Sequence, residues 1–126
     1  MTINFFEPDA VPQPPDKVKI ELLESSVYED RWRVRVALHV TPFQVRPNLA
    51  IALLTDNDDT ALVSELSVIE TMHTKMEFTM HIRGVPDPAG NYVLKARLYY
   101  GEDILKPFDQ KSHLFSIPRL EGQDAR

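Results

Sequence analysis

The chain has 126 residues, of which 43% are hydrophobic and 26% charged, with a formal net charge of −5 and no cysteine. That length suits one packed core of about 100–150 residues, and the composition is that of a folded globular chain. The missing cysteine excludes a disulfide framework, a thiolate metal site and a thiol nucleophile, while the acidic balance works against non-specific nucleic-acid binding.

Residues 1–16 contain Pro8, Pro12, Pro14 and Pro15. Proline lacks an amide donor and pushes its predecessor into extended geometry, so this stretch reads as an arm. Phe5 and Phe6 in such an arm either pack against the side of the domain or anchor to another chain. No cationic and apolar leader pattern opens the sequence, and no window approaches the roughly 18–20 apolar residues of a membrane span. A cytoplasmic location and no membrane contact are the default expectations.

Strand-like alternation starts at Lys17, with Val18, Ile20 and Leu22 on the inner side and Lys17, Lys19 and Glu21 on the outer. Ser25, Ser26, Glu29 and Asp30 mark a turn. Over 31–41 the alternation is clearest, with Trp32, Val34, Val36, Leu38 and Val40 on one side and Arg31, Arg33, Arg35, Ala37 and His39 on the other. A helix would scatter those apolar positions around its circumference, whereas a strand gathers them on one face.

Pro42 and Pro47 make 42–47 a connection. Residues 48–55 read as a strand covered on both sides, and Asp56-Asn57-Asp58-Asp59 as a turn. Over 60–73 both a helical and a strand spacing fit, and the strand-rich neighbourhood favours two short strands. Thr74, Met76, Phe78, Met80 and Ile82 then alternate inward, and a turn through Gly84 to Gly90 leads to a face of Tyr92, Leu94, Ala96, Leu98 and Tyr100. Gly101-Glu102-Asp103 forms a hairpin connection to a closing strand within 104–117, whose start Pro107 places at an edge. The strand spacing over 17–118 is that of an all-β sandwich or barrel of about seven to eight strands and not of a parallel sheet, and a polar tail follows at 119–126.

The segment Asp87-Pro88-Ala89-Gly90-Asn91-Tyr92-Val93-Leu94-Lys95-Ala96 resembles the turn and sixth strand of immunoglobulin-like domains. Tyr92 matches the tyrosine-corner position, and the resemblance implies that its hydroxyl bonds backbone upstream. Leu94 stands where that strand carries a cysteine, and Trp32, early in the second strand instead of the third, is closer to fibronectin type III domains. With the strand spacing, the resemblance makes the expected fold a two-sheet antiparallel immunoglobulin-like sandwich over 17–118, and it brings no function with it.

Little in the chain points to catalysis. A transition-metal site needs about three converging ligands, and His39, His73, His81 and His113 read as surface residues. Asp56-Asn57-Asp58-Asp59 lacks the glycine and distal glutamate of a calcium loop. No serine stands in a nucleophile-elbow frame, and the chain's 4 glycines form no phosphate loop. No metal and no cofactor are expected.

The outward positions of the first, second and fifth strands are basic: Lys17, Lys19, Arg31, Arg33, Arg35, Lys75 and Arg83 against Glu21 and Glu77. Adjacent in one sheet, they would make a face for an anionic partner, of which Arg31, Arg33, Arg35, Lys75 and Arg83 are the candidate binding residues. Nucleic acid would want stacking aromatics there, and the outward positions supply none. Val93, Tyr99 and Leu54 fall out of phase with the core and, with Phe5 and Phe6, form a candidate interface. The expected role is a non-catalytic module binding a protein, a second copy of the chain being one candidate and an anionic glycan another. The alternatives are a carbohydrate-binding module, with Tyr28, Tyr99 and Phe43 as its aromatics, and a small hydrolase on a sandwich scaffold.

Overall fold

The computed structural model describes residues 11–57 and 60–120; Phe5, Phe6, Asp58 and Asp59 lie outside them. A short 3-10 turn, Pro15–Lys17, precedes seven strands: β1 Ile20–Val27, β2 Arg33–Val40, β3 Asn48–Thr55, β4 Leu62–Val68, β5 Lys75–His81, β6 Gly90–Tyr99 and β7 Asp109–Ile117. They form two antiparallel sheets, one of order β1-β2-β5 and one of order β4-β3-β6-β7. The period-two pattern explains the layers. Val34, Val36 and Leu38 of β2 close the core from one sheet, and Leu49, Ile51 and Leu53 of β3 with Leu94, Ala96 and Leu98 of β6 close it from the other. Each such leucine, removed from water, stabilises the fold by about 1.5–3 kcal/mol before chain entropy is counted.

Three local departures from simple alternation have identifiable causes. In β1, Ile20 pairs with Val40 but Leu22 pairs with His39, leaving Glu21 as the extra residue of a bulge. The phase therefore shifts, and Leu23 rather than Leu22 enters the core. Trp32, expected inward, is 39% exposed. It stands before β2, where Arg31 sits at φ 67° and the Trp32 amide donates to Asp30 Oδ1 at 3.0 Å, so a turn and not the strand's pleat sets its direction. Residues 60–73 hold one strand instead of two short ones. The pairing steps from Leu53–Ser64 to Leu54–Leu62, and the extra residue, Val63, is buried.

The segment 84–90 enters β6 through Gly90 at φ 142°, a backbone conformation open to glycine and strained for other residues. Two residues on, the buried Tyr92 hydroxyl donates to the Pro88 carbonyl at 2.7 Å, the upstream bond that the tyrosine-corner position implies. Its ring stacks on Phe115 at 5.5 Å between centroids. Where β1 lies against β7, the Ile20 amide donates to Asp109 Oδ2 at 2.8 Å, and His113 Nε2 shares a hydrogen bond with Ser25 Oγ at 3.1 Å. These bonds tie the two sheets together along one side.

Candidate functional site

At one end of the sandwich, the connections 41–47, 69–74 and 100–108 join β2 to β3, β4 to β5 and β6 to β7. Asn48, the first residue of β3, holds all three together. Its side-chain Nδ2 donates to the Gly101 carbonyl at 2.9 Å, and its Oδ1 accepts from the Glu70 amide at 2.7 Å. The Thr71 amide donates to the Pro47 carbonyl at 2.9 Å. The Tyr100 hydroxyl donates to the Val45 carbonyl at 3.1 Å, and its ring meets Phe108 edge-on at 4.9 Å. Burial raises the Tyr100 phenol above its usual pKa, which keeps it a neutral donor. Glu70 adopts a left-handed φ of 49°, which costs a non-glycine residue energy and is held by the Asn48 bond. On the outer flank, the Gln13 amide donates to Pro42 O and the Gln44 amide to Gln13 O, bracing the 41–47 connection.

Large apolar side chains stand exposed on these loops among charged ones. Val45 is 50% exposed, Ile69 64%, Met72 70% and Leu105 80%. A cleft of about 960 Å³ opens beside two of them, Val45 and Ile69, which line it with Tyr99, Tyr100 and Ile104, and Arg46, Glu70 and Glu102 are its charged members. Single exposed hydrophobes are ordinary on a protein surface, but a group of them on three loops fixed to one another is the pattern of a contact surface. The sequence signal for it was an apolar residue, Val45, between two prolines. It was missed because 42–47 reads as a plain connection, while Ile69 falls in the stretch expected as two short strands and Leu105 in the expected closing strand.

The basic face resolves differently from its sequence pattern. β1, β2 and β5 are neighbours, so Arg33, Arg35 and Lys75 do share the outer side of one sheet. Arg31 does not join them. Its side chain turns away to Asp87 Oδ1 at 3.4 Å and to the Pro118 carbonyl at 3.1 Å, fastening the β1–β2 turn to two other segments. Arg83 lies beyond the end of β5. Arg33 and Arg35 flank the Tyr28 ring at 4.3 and 5.4 Å, and Arg33 Nε is paired with Asp30 at 2.8 Å. A hydrogen bond from Thr79, then one from Arg35, lowers the Tyr28 pKa, and the Arg33 hydrogen bond lowers that of Asp30. Glu24 and Glu77, both in register with Ala37, form an acidic row between this cluster and the His39–Lys75 pair. The face is therefore mixed in charge.

The out-of-phase apolar residues are also placed otherwise than expected. Val93 and Tyr99 are buried within the chain, not exposed. Val93 stands in a cross-strand row with Leu54 and Leu114, while Tyr99 pairs with Asn48 and lines the cleft of the loop end. His39 and His81 occupy opposite ends of the β2–β5 ladder, and His73 lies in the 69–74 loop. Among the described residues, no three His, Asp or Glu side chains are grouped as metal ligands. Nor is any helix there long and apolar enough to cross a membrane.

No family model and no curated protein matches the chain. Among solved structures, it is similar to a glycosyl hydrolase family 2 member from Bacteroides cellulosilyticus DSM 14838, with a TM-score of 0.51 and 16% identity over 79% of this chain. A second structure of a family 2 member from Bacteroides cellulosilyticus matches at a TM-score of 0.48, again with 16% identity over 79% of this chain. The chain spans 15% and 14% of the lengths of those two solved chains. The likeness is one of fold. It places this β-sandwich beside a small part of a much larger chain.

Proposed function

We propose that the chain is a non-catalytic protein-binding module, an immunoglobulin-like sandwich over 17–118 that docks its partner with the loops 41–47, 69–74 and 100–108. The observation that carries this reading is the exposure of Val45, Ile69, Met72 and Leu105 on loops that Asn48 and Tyr100 hold in place. Loops ordered before binding lose little entropy on association, and aliphatic anchors gain by leaving water. The sheet orders, with the Tyr92–Pro88 bond before the sixth strand, support the immunoglobulin-like assignment, close to fibronectin type III. Of the cleft's two aromatics, Tyr99 is buried and Tyr100 is engaged by Val45 and Phe108, so the aliphatic Val45, Ile69 and Ile104 suit protein side chains better than sugar rings, which favour flat exposed aromatic platforms. Spanning 15% of a glycosyl hydrolase chain by fold is consistent with an accessory role that needs no reaction of its own.

The test is the double variant Ile69→Lys with Leu105→Lys, assayed against the partner that the unmodified chain recovers from a nuclease-treated lysate of its source. Both residues are exposed, so thermal unfolding should stay unchanged while affinity falls about tenfold or more. The control Arg33→Glu with Arg35→Glu should keep full affinity. Undiminished binding by the loop variant would overturn the proposal.

A further inference from the structure

We infer that the segment docking at the loop end is an aliphatic stretch of another protein flanked by lysine or arginine, an inference that rests on the loop end being the docking surface. The apolar part of the match follows from the cleft lining. The sign of the charge follows from what surrounds it. The three loops carry Glu70, Glu102 and Asp103 against Arg46 and Lys106, all exposed. Glu70 and Glu102 line the cleft itself, together with the single cation Arg46. The ion pairs among the described residues are Arg31–Asp87 and Arg33–Asp30, so none of these loop carboxylates is neutralised within the described residues.

Their placement is enforced. Asn48 bonds the amide of Glu70 and the carbonyl of Gly101, next to Glu102, and so brings two acidic residues from different loops beside one apolar opening. The two carboxylates of the cleft outnumber its one guanidinium, and the excess negative charge costs more when a docked apolar segment displaces water from around it. A cation entering with that segment balances the excess, whereas an anion adds to it. Rim charges of this kind select the partner and speed its approach, and salt weakens their effect.

The experiment is a titration of the ¹⁵N-labelled chain, followed by amide NMR, with an amphipathic peptide of leucine and lysine and its counterpart of leucine and glutamate. The lysine peptide should shift the amides of Val45, Ile69, Glu70 and Ile104 and bind at least about tenfold more tightly than the glutamate peptide. Glu70→Gln with Glu102→Gln should erase most of that preference. Glu24→Gln with Glu77→Gln, on the outer side of the other sheet, removes the same net charge and should leave the preference intact. If both peptides shift the loop amides with equal affinity, the charge inference fails while the docking end stands. If the preference follows net charge equally in both variants, the inference also fails. Shifts confined to residues outside the three loops would overturn the inference and the docking surface together.

Discussion

Tyr92 brings a phenol into the core and leaves its hydroxyl bound to the Pro88 carbonyl at 2.7 Å. Phenylalanine at this position keeps the ring and its contact with Phe115 but strands that carbonyl, so Tyr92→Phe should cost about 1–3 kcal/mol in denaturant unfolding. Burial, and then the nearby Asp87 charge, raise the Tyr92 pKa above its usual value. Below about pH 10, folded and unfolded chains both hold the proton, so the shift has no effect on stability there. As pH rises beyond that, the unfolded chain ionises first, and stability falls until the folded phenol ionises too. Thermal unfolding should thus lose stability above about pH 10, less steeply in Tyr92→Phe; equal slopes for the two proteins would remove Tyr92 as the cause. This residue was legible in the sequence through the resemblance of the 87–96 segment to the turn and sixth strand of immunoglobulin-like domains, which implies its upstream bond. Trp32 was not, since its direction depends on the left-handed turn at Arg31, which strand periodicity does not encode.

At the scale of elements, the strands that alternate over their full length, β2 and β5, were legible throughout, because a period of two admits one buried face. β1 was legible in existence but not in phase, and it runs on through Ser25 and Ser26, expected in a turn, while β4 is one strand where two short ones were expected. Each contains a register shift, at Glu21 and at Val63, and a bulge is decided by the partner strand instead of by the local pattern. The loop end was the least legible, since its order comes from Asn48, far in sequence from both residues it bonds. That dependence gives a prediction. Asn48→Ala removes two part-buried hydrogen bonds, to the Glu70 amide and the Gly101 carbonyl, so it should cost about 1–3 kcal/mol. Hydrogen exchange should speed most over 69–74 and 100–104. Acceleration spread evenly over all seven strands would mean that Asn48 supports the core in general and not these loops in particular.

Over the whole molecule, composition and strand spacing were enough for an antiparallel sandwich or barrel, because short strands with no helical interludes admit few other arrangements. The likeness of the segment around Tyr92 to immunoglobulin-like domains favoured the two-sheet sandwich that the chain forms. The partner surface was harder to see. The outward arginines read as one basic row, yet folding pairs Arg33 with Asp30, turns Arg31 onto Asp87 and sets Glu24 and Glu77 across the middle of the face. Val45, Ile69 and Ile104, one from each of three connections, come to line one cleft. The most direct measurement is photo-cross-linking with benzoylphenylalanine in place of Leu105 and, separately, in place of Glu77, in the lysate of the source. The account predicts a discrete protein adduct from position 105 and none from position 77. An adduct from position 77 with none from position 105 would contradict it.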